Sequence, residues 1–107
     1  MIKNKYGAEK VKVPNGETFD SQKEYQRYAV LRLLEKAGKI SELKRQVTFE
    51  LIPKQDSERA CNYVADFVYF DANGNTVVED CKGFRTEAYK IKRKLFLYRY
   101  GIKILET

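Results

Sequence analysis

Histidine is absent from the chain. That removes His-ligated zinc, every mechanism built on a histidine base, and nucleases that use a histidine-based metal finger. Any catalysis must run on carboxylates, lysine, tyrosine or cysteine. Cysteine is scarce: Cys61 and Cys81 each sit inside an apolar, strand-like run, and neither belongs to a CxxC pair. Two buried reduced thiols are expected rather than a structural zinc site. No apolar run is long enough to span a membrane. The stretch "MIKNKYGAEKVKV" lacks the continuous apolar core of a signal peptide. A cytoplasmic protein with no membrane partner is the expectation. Internal repeats and low-complexity segments are missing as well.

What is present fits one domain over residues 1–107, with a basic arm over 1–19 and a core over 20–107. Apolar residues make up 43% and charged residues 34%, which places the chain among globular rather than disordered sequences. The formal net charge is +6, and the cations gather in two places. One is the arm, with Lys3, Lys5, Lys10 and Lys12. The other is "YKIKRKLFLYRYGIK", with Lys90, Lys92, Arg93, Lys94, Arg99 and Lys103. Nucleic acid is the natural partner of such patches, against the plainer alternative of a solvated basic face.

"KVKVPNGETF" reads as a hairpin or extended arm turning at Pro14-Asn15-Gly16. "FDSQKEYQRYAVLRLLEKAGKI" reads as a helix, capped by Asp20 or Ser21 and ended by Gly38. Its Tyr28, Leu31, Leu34 and Ala37 recur at helical spacing and should face the core. Strands are expected over 45–52, 60–70 and 75–82, the last closed by Gly83. A second helix over 86–100 stops at Gly101, and a short strand follows over 102–106. In this helix Ile91, Leu95 and Tyr98 form an apolar stripe, expected to be core rather than a base-stacking surface. The order αβββαβ implies an α/β fold. The middle hairpin is antiparallel, the βαβ crossover makes the last pair parallel, and helices flank the mixed central sheet.

The segment "VVEDCKG" is an unusual strand, because three of the four residues from Glu79 to Lys82 are charged. Alternation sends Asp80 and Lys82 to one face and Glu79 and Cys81 to the other. The preceding strand, "YVADFVYF", carries one acid in an apolar run, Asp66. Two buried acids on neighbouring strands repel each other unless a cation lies between them. Mg²⁺ takes carboxylate oxygens and keeps several waters, and a lysine beside it can position a water or hold a phosphate oxygen. Asp66, Asp80 and Lys82 therefore form a candidate metal site for phosphodiester hydrolysis.

These residues carry a resemblance. "AD…DCK" resembles the PD-(D/E)XK nuclease signature, with Ala65 standing where the motif name has proline. The element order resembles the restriction-endonuclease-like core, and "FDSQKEYQRY" resembles its first helix, whose acid corresponds to Glu24. The run "FDSxxE", "YVADF", "VEDxKG", "KxKLFxYRYGI" is similar to a family of small phage and prophage proteins in that superfamily. The resemblance implies metal-dependent DNA cleavage like that of Holliday-junction resolvases and transposon nuclease subunits. It implies Glu24, Asp66 and Asp80 as ligands of Mg²⁺, with Mn²⁺ able to substitute, and Lys82 as the residue that orients water. No small-molecule cofactor is implied, and a bacterial host cytoplasm follows if the gene is phage-borne.

Plainer readings stand beside these. Ser21-x-x-Glu24 also fits a capping box. Glu79 could rival Asp80 as ligand or pair with a basic residue on the opposite face. Cys81 is expected to be a small buried residue whose backbone carbonyl could bind the metal, not a nucleophile. Gln46 could contact Glu24 or substrate, or be an ordinary polar strand start. Lys10, Lys12, Lys90, Arg93 and Arg99 are candidate DNA contacts. A catalytically silent DNA- or protein-binding module, an RNA nuclease, and a homodimer making paired cuts are the alternatives and assemblies carried forward.

The turn "DANGN" decides whether the metal site is geometrically possible. A two-residue Asn73-Gly74 turn sets Asp66 against Cys81 and sends Asp80 to the other side. A three-residue loop with Gly74 left-handed pairs Asp71 with Asn75 and sets Asp66 opposite Asp80. The metal reading requires the longer loop.

Overall fold

The computed structural model describes residues 11–12, 18–82 and 84–107. Strands β1 (Val11–Lys12) and β2 (Thr18–Phe19) pair antiparallel, as the arm predicts. The Pro14-Asn15-Gly16 turn lies outside the described residues, as does Gly83. Then come α1 (Gln22–Lys36), β3 (Ser41–Ile52), β4 (Cys61–Phe70), β5 (Thr76–Asp80), α2 (Glu87–Tyr100) and β6 (Leu105–Glu106). The sheet order is β3-β4-β5-β6, antiparallel except for the parallel β5–β6 pair. This is the mixed α/β arrangement read from the sequence. No helix among the described residues is long and apolar enough to cross a membrane.

Local chemistry explains the ends of the elements. Ser21 caps α1, its side chain accepting from the Glu24 amide, and Thr86 caps α2 by accepting from Tyr89. Gly101 ends α2 at φ 69°, where a side chain would be strained. The Asp71 amide donates to the Asn75 carbonyl at 2.9 Å, and Gly74 has φ 82°. The loop is therefore the three-residue one. β4 and β5 pair Phe67 with Glu79 and Val68 with Val78, and the same register extended by one residue sets Asp66 opposite Asp80.

Two apolar clusters sandwich the sheet. Leu31 of α1 packs with Ile40, Phe67, Tyr69 and Cys81. Tyr89 and Phe96 of α2 pack with Leu51, Tyr63, Ala65, Val78 and Ile104. Strict alternation would keep residues 63, 65, 67 and 69 on one face, yet Tyr63 and Ala65 meet α2 while Phe67 and Tyr69 meet the α1 side. The strand changes face at Asp66, and Ala65, Asp66 and Phe67 are buried in succession. The partner strand turns over at the same level. Gln46, between Arg45↔Phe67 and Val47↔Ala65, has φ 52°.

Two expectations about helix faces fail. Ala37 is exposed, being the C-cap of α1. Ile91 is 58% and Tyr98 90% exposed, with Leu95 only partly buried. Helix α2 is apolar on two sides, and the aromatic side wins the core: Phe96 packs edge-on against Phe49 and Tyr63 at centroid distances of 5.0 and 5.6 Å.

Candidate metal centre

Asp80 ends β5, and its side chain is wholly buried. Its Oδ2 accepts a 2.7 Å hydrogen bond from the Tyr63 hydroxyl. Its buried Oδ1 accepts none, although the Lys82 ammonium stands 3.6 Å away at the half-exposed rim. Burial pushes the Asp80 carboxyl above the ordinary carboxylate range; the Tyr63 hydrogen bond and Lys82 pull it back, and the Asp66 charge adds to the rise. Tyr63 is pushed up in turn, chiefly by burial and then by Asp80, so it stays a donor.

Asp66 lies opposite. Its Oδ2 accepts from the Cys81 backbone amide at 2.7 Å, and its Oδ1 from the Gln46 amide nitrogen at 3.3 Å. The first bond explains why β5 stops at Asp80 and not at the predicted residue 82. The Cys81 amide is given to a side chain instead of to a neighbouring strand.

Glu24, on the first turn of α1, is buried although its element is a surface helix. The capping reading holds, and the same carboxylate also reaches inward. The cap is real, but its return bond shifts by one residue: Glu24 Oε1 accepts from the Asp20 amide at 3.3 Å. Oε2 turns inward and accepts from Gln46 Nε2 at 3.3 Å. Arg45 Nη2 stands 3.9 Å from Oε1. Burial, and then the Asp66 charge, raise the Glu24 carboxyl to about 7.

The opposite face of β5 settles Glu79. Arg27 of α1 grips both its carboxylate oxygens at 2.8 Å, and the Tyr69 hydroxyl and Thr107 Oγ1 also donate to it. Saturated in this way, Glu79 is no rival to Asp80. Cys81 is buried beside it and, like the half-buried Cys61, is a free thiol. Burial pushes the Cys81 thiol up, as suits an inert residue.

The candidate DNA contacts divide. Lys10 and the side chain of Lys12 lie outside the described residues. Lys90 pairs with Glu87 at 3.2 Å, Arg93 with Glu106 at 2.9 Å and Arg99 with Glu50 at 3.4 Å. Arg85 joins Glu106 at 3.0 Å, and the Tyr89 hydroxyl donates to it at 2.8 Å. Burial alone would raise the Glu106 carboxyl, but these donors and cations hold it below its ordinary range. Three of the five cations of α2 are thus paired within the fold.

Sequence reasoning did not find Tyr63 or Arg27. Both are ordinary members of an apolar strand and an amphipathic helix, and only the fold carries them to Asp80 and Glu79.

The predicted acids assemble as a pair and a neighbour. Glu24 and Asp66 share Gln46, while Asp80 is held by Tyr63 and Lys82. Among the described residues, no group of three or more His, Cys, Asp or Glu is drawn tightly enough to hold a metal ion by itself. Mg²⁺ asks for less, taking one or two carboxylates with water and phosphate completing its shell. The Asp80 Oδ1, buried with no hydrogen bond and only the Lys82 ammonium at 3.6 Å beside it, suits such an ion. No curated protein and no solved structure matches the chain. A family described as "Protein of unknown function (DUF1064)" matches residues 3–105, so the chain belongs to the DUF1064 family.

Proposed function

We propose that this protein is a Mg²⁺-dependent endodeoxyribonuclease of the PD-(D/E)XK type, acting in the cytoplasm on DNA, with branched DNA the favoured substrate and a homodimer the working form. One observation carries the reading. The side chain of Asp80 is wholly buried with Oδ1 accepting no hydrogen bond, the strand register sets Asp66 at its level on the neighbouring strand, and a lysine stands 3.6 Å away. A buried carboxylate oxygen that accepts no hydrogen bond costs about 1–3 kcal/mol, and a bound ion is one of the few things, water being another, that account for such a group in a fold. The αβββαβ order and the acid-x-lysine spacing support the same conclusion.

In this reading Asp66, Asp80 and Glu24 would together hold the cation. Bound Mg²⁺ or Mn²⁺ would lower the pKa of its water and draw charge from the scissile phosphate. Lys82, half-exposed at the rim, would orient the attacking water and steady the charge developing on phosphate. The Cys81 carbonyl is a further candidate ligand. Tyr63 fixes Asp80 by holding its other oxygen.

The test is incubation with Mg²⁺ or Mn²⁺ and a panel of linear, flapped and four-way DNA, with an RNA duplex alongside. Cleavage of DNA that vanishes in Asp80→Asn and Lys82→Ala is expected. Cleavage of RNA alone would reassign the substrate. Binding without cleavage under every metal would leave the silent module of the same fold as the function.

A further inference from the structure

Gln46 touches both acids of the pair. Its Nε2 donates to Glu24 Oε2 and to Asp66 Oδ1, each at 3.3 Å. It reaches them because the backbone there is left-handed, at φ 52°, in the middle of a 12-residue strand. That conformation costs a non-glycine residue about 1–2 kcal/mol. It falls at the level where β4 changes face and Asp66 is buried. Gln46 itself is exposed, so its amide closes the acid pair from the solvent side.

An NH₂ group bearing partial positive charge between two acids stands in for a cation. The buried Asp80 Oδ1, which accepts no hydrogen bond and has only the Lys82 ammonium at 3.6 Å beside it, is an independent sign that a ligand belongs here. We propose that Gln46 is a residue of the cation site: its NH₂ fills the cation's place between Glu24 and Asp66 in the metal-free protein, and the amide turns over when Mg²⁺ binds, presenting its carbonyl oxygen. The inference rests on the metal-site reading above. An amide carbonyl is a neutral hard ligand of the kind Mg²⁺ accepts. Turning the amide needs only rotation of an exposed side chain, whereas each acid is held by further bonds. The left-handed backbone aims the amide in both states.

Titration of the ¹⁵N-labelled protein with Mg²⁺ tests this, read by two-dimensional NMR. The Gln46 side-chain NH₂ signals are assigned by their loss in Gln46→Ala. The Cys81 amide, which donates to Asp66 Oδ2, reports the acids independently. Both signals should shift with a common midpoint. In Gln46→Ala the Cys81 shift should survive with a midpoint about tenfold higher, the scale of a lost supporting group. Gln46→Asn keeps an amide and suits positive φ, but it is one methylene short and should show the same loss. A Cys81 shift with Gln46 unmoved, or a wild-type midpoint in Gln46→Asn, overturns the role of Gln46 and leaves the metal site standing. No shift at either position overturns the metal site itself.

Discussion

Replacing Glu24 by glutamine separates the cost of the acid pair from its use. The Glu24 carboxyl sits at about 7 against an ordinary 4.5, with burial the larger cause and Asp66 the next. Below pH 4.5 the group is protonated whether the chain is folded or not, and it contributes nothing. Between 4.5 and 7 the unfolded chain ionises while the fold retains its proton, so stability falls as pH rises. Above 7 the full penalty is present, about 3 kcal/mol. Glutamine imitates the neutral form. It can still accept from the Asp20 amide and donate toward Asp66, giving up one long bond from Gln46 worth about 1 kcal/mol. In chelator, Glu24→Gln and wild type should melt within about 1 kcal/mol of each other at pH 5. At pH 8.5 the variant should be the more stable by about 2 kcal/mol, roughly 8–16 °C for a domain of this size. Millimolar Mg²⁺ should reverse the order, stabilising wild type more. The assay is a thermal melt followed by circular dichroism. A difference between the two proteins that does not change with pH would refute the assignment of that penalty to Glu24.

Asp66→Ala removes the acceptor of the buried Cys81 amide, so despite the relief of charge repulsion it should lower metal-free stability by about 1–3 kcal/mol; a rise in melting temperature would show that repulsion dominates. Arg27→Met leaves Glu79 buried and unpaired and should cost about 3–5 kcal/mol in a denaturant titration, while the paired Arg27→Met, Glu79→Met change should recover most of it. Gly74→Ala should cost about 1 kcal/mol through its left-handed φ of 82°, since no neighbouring atom obstructs the added methyl; no loss in the same titration would mean a different loop. DNA affinity should fall steeply with salt in an anisotropy assay. Arg93→Ala should change it little, because that guanidinium is engaged by Glu106.

The caps, the turns and the order of elements were readable because each depends on a few neighbouring residues. Ser21 and Thr86 offer side-chain acceptors to amides three residues on, and Gly74 and Gly101 take up positive φ. The candidate acids were readable for a similar reason: a charge in an apolar strand stands out wherever the strand lies. The loop at 72–74 is also decided locally, but against its strongest single signal. Asn-Gly favours the shorter turn, and the longer one prevails because Asp71 Oδ1 accepts from the amides of Asn73 and Asn75, each at 2.9 Å. Other features belong to tertiary structure alone. Helix α2 offers two apolar faces, and only the shape of Phe49 and Tyr63 selects Phe96 over Ile91 and Tyr98. The change of face at Asp66 comes from two long strands turning over together, which a period-2 pattern cannot express. Arg27 and Glu79, 52 positions apart, are joined because α1 lies across β5. The same packing makes the capping residue Glu24 one of a buried acid pair as well, since a cap needs only its own turn while the contact with Gln46 needs the strand beneath it.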